Sequence, residues 1–445
     1  MTRTSFTPSL ILAITSVTAA LAEPPNWPQW RGPTLNGVAE GSPPIHWSEK
    51  ENVIWRADLP AWAAATPIVW GERVFVVTPS KLTGPDDFEM ARSLRMRSVD
   101  NPGGRDVLLQ CRSMKDGALI WERKLSPGNA LWGKHNMASC SPVTNGKQII
   151  ALAGTGQLVA YDMDGAELWR HDLQDMYGPI APGWGYASSP LLFEDKVVVA
   201  VMQGDGPSYV AAFKAVTGDL AWKVERVTDA KRECPDAYTT PTISRVGDRT
   251  DLVISGADWV TGHDPASGAE RWRAGGLNPE GRGNYRICGS PTVVGEVIYC
   301  TSRVSPILAI RGGGTGDVTE SGRLWRYDGK GGPDVPTPVC DGKRYYIVDD
   351  RGRATCLNAR DGEVIWGPER TAEGTVSASP ILAGDRVYVV NERGVTTVFK
   401  AADKFEIIAT NELDDDFTMA SPVVVGETIL IRTSKALYRI SERRE

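Results

Sequence analysis

Short apolar, β-branched runs recur along the chain, each about the length of one strand. Val74-Phe75-Val76-Val77, Val197-Val198-Val199-Ala200, Tyr345-Tyr346-Ile347-Val348 and Val387-Tyr388-Val389-Val390 are examples, and each follows a turn former at Gly71, Asp195, Gly342 or Gly384. Continuous apolar runs of about four to eight residues bounded by such turns predict buried strands. A second turn and a third run follow, as in Gly352 and then Ala354-Thr355-Cys356-Leu357. Ala359-Arg360-Asp361-Gly362 then turns the chain into a strand that carries Trp366. No segment sustains a helical period.

Two marks repeat with this pattern. A hydroxyl residue followed by Pro opens an apolar run at Thr66, Ser141, Ser189, Thr240, Ser290, Thr337, Ser379 and Ser421. Successive marks lie 75, 48, 51, 50, 47, 42 and 42 residues apart. The first interval is long because 82–106 reads as an inserted loop. Between marks, a Gly precedes a Trp by one helical-turn-sized step at Gly117/Trp121, Gly165/Trp169, Gly218/Trp222, Gly268/Trp272 and Gly362/Trp366. Gly322/Trp325 is a shorter version, and Lys404/Ile408 stands in the degenerate seventh unit.

Four strands per unit of this length is the size of one propeller blade. A single such sheet cannot bury both faces, whereas blades stacked around an axis bury each other. A flat indole at a fixed phase fills the gap between blades, so most of the 15 Trp residues read as packing. The last unit has room for three strands, Val423–Val425, Thr428–Arg432 and Ala436–Ile440. Val53-Ile54-Trp55 supplies a spare strand in the Trp phase before the first mark. Pairing the two closes the ring and leaves no open sheet edge there. The expected fold is all-β: an eight-bladed β-propeller of four-stranded antiparallel blades over 45–441, preceded by an arm at 23–44.

At this level the units Val159-Ala160-Tyr161-Asp162-Met163-Asp164-Gly165-Ala166-Glu167-Leu168-Trp169 and Leu357-Asn358-Ala359-Arg360-Asp361-Gly362-Glu363-Val364-Ile365-Trp366 resemble the A-x-D-x-x-T-G-x-x-x-W repeat. That repeat marks pyrroloquinoline-quinone (PQQ) dehydrogenases and non-enzymatic relatives such as the outer-membrane assembly factor BamB. The opening Trp27-Pro28-Gln29-Trp30-Arg31-Gly32-Pro33, with Ala309-Ile310-Arg311 and Gly316-Asp317-Val318-Thr319, resembles the exported PQQ-binding-like propellers. The resemblance covers 26–441 and implies the quinoprotein-like propeller fold.

Composition places the chain outside the cell's reducing interior. Arg3 is the sole charge before Glu23, Leu10 to Leu21 is apolar, and Ala20-Leu21-Ala22 is a small-residue cleavage site. This predicts a signal peptide at 1–22 and a periplasmic or extracellular protein. No later stretch is long enough for a transmembrane segment. A net charge of −6 argues against a nucleic-acid binder, which needs a basic field.

The resemblance implies PQQ held with Ca²⁺ or a lanthanide, and in the alcohol dehydrogenase branch an adjacent-cysteine disulfide. The seven cysteines, at 111, 140, 234, 288, 300, 340 and 356, include no adjacent pair. Cys111, Cys140, Cys300 and Cys356 lie on or beside apolar strands and read as buried thiols. Asp414-Asp415-Asp416 reads as a solvated loop, and the four His have no metal-ligand spacing. Gly312-Gly313-Gly314-Thr315-Gly316 lacks the Lys and helix of a phosphate loop.

A ligand of such a ring sits in the axial funnel, on the residues just before each hydroxyl-Pro mark. Trp62, His135, Asn136, Trp184, Tyr186, Tyr238, Arg286 and Asp334 are the candidates, with Lys134, Asn284, Tyr285 and Phe417 beside them. Aromatic walls with a few placed polar groups suit a saccharide or other small molecule, or a segment of a protein partner. The expected function is an exported binding or scaffold module, BamB-like in kind, with no catalytic residues and no cofactor. The alternative is a PQQ- and Ca²⁺-dependent oxidoreductase of alcohols or aldose sugars.

Overall fold

The structure, a computed structural model, describes residues 25–82, 103–132, 135–413 and 417–443. The expected leader, most of the 82–106 loop, Lys134 and Asp414-Asp415-Asp416 lie outside the described residues. Seven blades occupy 68–127, 143–172, 191–225, 242–274, 292–327, 339–370 and 381–411. The eighth combines Val423–Val425, Thr428–Arg432 and Ala436–Ile440 with Val53–Asp58. In that closing pair Trp55 lies opposite Arg439 and Asp58 opposite Ala436. The ring closes as the Trp phase predicts.

Strands run in chain order from the axis outward, and the first strands of successive blades adjoin one another. The burial pattern follows from this placement. Middle strands such as Lys196–Val201 and Tyr209–Lys214 are buried on both faces and are continuously apolar. Outermost strands such as Leu220–Glu225 bury little more than their Trp. Two blades carry an extra parallel strand: Gly316–Asp317 covers the outer edge at Trp272–Arg273, and Val38–Ala39 lies along Leu382–Ala383.

The Gly and Trp marks meet across blades. Trp222 stands against Gly268 of the next blade, where an added Cβ would lie 2.4 Å from the indole. Gly165 on Trp121, Gly218 on Trp169 and Gly362 on Trp325 repeat the contact. The indole N–H donates to a backbone carbonyl of that neighbour: Trp121 to Met163 (3.0 Å), Trp169 to Ala215 (2.9 Å), Trp222 to Pro265 (3.0 Å), Trp325 to Ala359 (3.0 Å). Blade 5 lacks the Gly turn, and Trp272 of blade 4 donates instead to Asp251 of its own blade (2.9 Å).

The hydroxyl-Pro marks form a second, inner circle. The Thr66 N–H donates to Ser141 Oγ, the Ser141 N–H to Ser189 Oγ, and so on through Thr240, Ser290, Thr337, Ser379 and Ser421. The Ser421 N–H returns to Thr66 Oγ1, across 355 residues, at 3.2 Å. This closed collar is why a hydroxyl is wanted there. Each inner strand begins with a backbone donor that its Pro-led neighbour strand cannot satisfy.

The arm is built into the ring. Trp27 is 1% exposed and pairs with Val69, while Gln29 bonds Leu192 of blade 3 and the Pro28 carbonyl accepts from Thr144 of blade 2. Asn36 reaches Val293 of blade 5, and Arg31 reaches Pro338 and Pro380 of blades 6 and 7. Trp47 stacks on Tyr388 at 6.5 Å. The segment therefore runs across the inner strands near the axis. The sequence gives no sign of this, because the arm has no repeat phase. Among the described residues no helix is long and apolar enough to cross a membrane.

Candidate functional site

A cavity of about 660 Å³ opens on the axis. Its lower wall includes seven of the eight collar residues, all but Ser290, and Trp30 from the arm. Its upper wall comes from the loops that enter the inner strands and from loops after the second strands. Trp184 sits in a turn closed by the Gly185 N–H on the Pro182 carbonyl (2.8 Å). Asp236 clamps that turn, accepting from the Gly183 N–H (2.7 Å) and the Gly204 N–H (2.9 Å). The Trp184 N–H donates to Tyr238 Oη at 3.1 Å. The Tyr238 N–H in turn donates to the Ile287 carbonyl (3.0 Å), which seats Arg286 beside it.

These side chains share one ionic network. Glu233 Oε1 accepts from Trp184 Nε1 (2.8 Å) and from Arg286 Nη1 (2.9 Å). Arg286 lies over the Trp184 ring at 5.2 Å and gives its other nitrogen to Asp334 Oδ2 (3.2 Å). Arg303 approaches the same oxygen at 3.5 Å. The Asp334 N–H donates to Asp350 Oδ2 at 2.6 Å. Burial pushes the Asp350 carboxyl above its ordinary range, against the bond from the Asp334 backbone. Burial also works against the charge on Arg286, but Cys288, Asp334, Glu233 and Tyr238 outweigh it and the net shift is upward. The Cys288 thiol, beside this network, is pushed up to about 12 chiefly by burial.

Five sequence candidates, His135, Trp184, Tyr238, Arg286 and Asp334, line the cavity. Three turn away into packing. Trp62 is 1% exposed against Phe417, Asn136 ties its amide to the Trp62 carbonyl (2.8 Å), and Tyr186 donates to Ala200 (3.0 Å). His135 keeps one ring nitrogen near the Asn136 carbonyl at 3.3 Å, and its Nε2 is buried without a partner. Burial lowers its pKa, against the Asn136 and Trp184 carbonyls, so the ring is neutral at pH 7.

Sequence reasoning did not find Trp30, Glu233, Arg303 or Asp350. Arg303 and Asp350 follow the second strands of blades 5 and 6, so the repeat register itself places them on the same face as the inner-strand entries. Trp30 and Glu233 carry no such register. All seven cysteines are unpaired, and Cys111, Cys140, Cys300 and Cys356 are buried.

PQQ chemistry needs a hard cation held by several oxygens. Among the described residues no group of three or more His, Cys, Asp or Glu side chains converges. The funnel carboxylates Glu233, Asp334 and Asp350 already accept from Trp184, Arg286, Arg303 and two backbone N–H groups, and Asp334 Oδ1 is left buried without a partner among the described residues. This donor set does not fit a Ca²⁺–quinone site.

Comparison with known proteins adds the family. The family model described as outer membrane protein assembly factor BamB matches residues 105–321 and 315–436. Among solved structures, BamB from Moraxella catarrhalis aligns at TM-score 0.55 and 16% identity, covering 83% of this chain and 99% of its own. A europium-containing methanol dehydrogenase aligns at TM-score 0.67 and 11% identity, covering 94% and 98%. The quinohemoprotein alcohol dehydrogenase of Comamonas testosteroni aligns at 0.64 and 10%, covering 95% and 81%. No curated protein matches. Identities this low carry the fold alone, but the family model spans most of the chain, and this protein belongs to the BamB family of PQQ-like repeat β-propellers.

Proposed function

We propose that this chain is an exported, non-catalytic binding module that holds a ligand or a segment of a protein partner in its axial funnel. The observation that carries this reading is the pairing of the funnel's charged groups with one another. Glu233, Arg286, Asp334 and Arg303 neutralise one another in a single network. A general base must be free to take a proton. Asp334 is tied to two guanidinium groups, and Cys288 is held as a thiol. What remains is aromatic surface at Trp30 and Trp184 framed by fixed donors, which favours binding over turnover.

The site residues in this reading are His135, Trp184, Tyr238, Arg286 and Asp334, joined by Trp30. The competing reading, a PQQ-dependent oxidoreductase, is favoured by the alignment with methanol dehydrogenase over nearly the whole chain. Dye-linked oxidation of alcohols and aldose sugars, with PQQ and Ca²⁺ added to the purified protein, separates the two. We expect no turnover; turnover abolished by Trp184→Ala would overturn the non-catalytic reading. Cell fractionation, with the protein expected outside the cytoplasm, tests export.

A further inference from the structure

We infer that the base of the funnel is an anion site, and that the ligand carries a carboxylate which seats inside the hydroxyl collar. This rests on the proposed binding role of the funnel and names the chemical class of its ligand. The first observation is the direction of the collar hydrogen bonds. Every collar oxygen accepts a neighbouring backbone N–H, at 2.9 to 3.2 Å. Among the described residues no collar hydroxyl donates to a protein acceptor. The eight residues are each more than nine-tenths buried, and seven line the cavity. A hydroxyl has one proton and two acceptor positions. With the backbone N–H on one of these, the proton is left for whatever occupies the axis. The collar is therefore a circle of donors.

The second observation is independent. Two buried guanidinium groups lie against the collar with backbone carbonyls as their partners. Arg31 gives its nitrogens to the carbonyls of Pro380 (2.7 Å), Pro338 (3.0 Å) and Asn36 (3.0 Å). Pro338 and Pro380 directly follow the collar members Thr337 and Ser379. Arg432 donates to the carbonyls of Ala65 (3.0 Å), next to collar Thr66, and Val77 (2.7 Å). Burial pulls both down to about 9, so both stay charged at neutral pH. Arg31 Nε and Arg432 Nε and Nη2 have no partner. A buried charge without a counter-ion is strongly unfavourable. Neither guanidinium lines the cavity, but both sit directly behind the collar, and an anion seated inside it would serve as their counter-ion. Above it, Arg286 bridges Glu233 and Asp334, and Arg303 approaches Asp334, so those two guanidinium groups are already matched by carboxylates.

The carboxylate could come from a sugar acid or an aromatic acid, since Trp30 offers a face to either. Isothermal titration of the intact protein with D-glucuronate and with benzoate, each against its neutral counterpart, D-glucose or benzyl alcohol, tests the charge and separates the sources. At least one acid is expected to bind about tenfold or more tighter than its counterpart, with affinity falling as salt rises. Thr337→Val, which removes a collar hydroxyl while keeping its shape, should weaken that binding several-fold. Thr337→Ser should restore it, and thermal melts of both variants establish that the ring is intact. Equal binding of acid and neutral probe, or no binding of either acid at about 10 mM, overturns the anion site. So does an acid affinity that Thr337→Val leaves unchanged. PQQ-dependent turnover would instead overturn the non-catalytic reading and leave the anion site standing.

Discussion

Gly268→Ala isolates the contact that sets the spacing between blades. Gly268 has φ +76, a conformation that disfavours a side chain by about 1–2 kcal/mol. Its new methyl would lie 2.4 Å from Trp222 Cε3 and 2.8 Å from two further ring atoms. The indole is tied to the same turn by its bond to the Pro265 carbonyl and cannot move freely away, so overpacking should add about 1–3 kcal/mol. The expected loss is about 2–5 kcal/mol. Trp222→Ala alone, at a position 8% exposed, should cost about 3–5 kcal/mol. In the double variant the methyl meets no ring, and the steric part vanishes. The pair should therefore fall short of additivity by about 1–3 kcal/mol. Gly247→Ala is the control, with φ +56 and nothing within 4 Å of the new Cβ. Guanidinium unfolding of the four variants reads these differences directly. Additive losses, or Gly268→Ala no worse than Gly247→Ala, would refute the interblade role.

Deleting 27–33 should lower the melting temperature at least as far as Trp222→Ala, because Trp27 and Arg31 are buried in the ring; a melt unchanged from the full chain would contradict the arm's structural role. Asp258 is pushed up to about 6 by burial, so its ionisation works against the folded state at neutral pH. Asp258→Asn should stabilise the protein at pH 8, with the gain fading as pH falls below about 6; a gain independent of pH counts against it. Burial lowers His135 and His263, so the unfolded chain takes up their protons first. Stability should fall as pH drops below about 6.5, and the slope should be shallower in His135→Gln in melts taken between about pH 7 and 5.

The ring was legible because its devices are repeated. One Gly-Trp pair means little, but the same pair in successive units, with Trp55 in phase ahead of the first, specifies both the blade and its closure. The hydroxyl-Pro marks were visible for the same reason, although their joining into one circle is a property of the closed ring. The site was half legible. Tyr186 and Asp334 each stand three residues before a mark, yet Tyr186 packs inward on Ala200 and Asp334 lines the cavity. Loops of unequal length and turn type decide which way each side chain faces, and no period encodes that. Glu233 reaches the funnel from the loop that links blades 3 and 4, and Trp30 arrives from outside the repeat altogether.

The course of the arm also constrains when the molecule can fold. Gly41 lies against the turn at Gly426, the Trp47 N–H donates to Asn411 Oδ1, and Val53–Asp58 has its strand partner, among the described residues, at Ala436–Ile440. Residues 41–58 thus find these places only after the last two blades have been made. During synthesis Val53–Asp58 is an unpaired edge, a segment that must be kept from other chains until its partner arrives. Loss of the final strand would therefore leave Val53–Asp58 and the last blade unpaired together, and the ring cannot close until Ala436–Ile440 has been made.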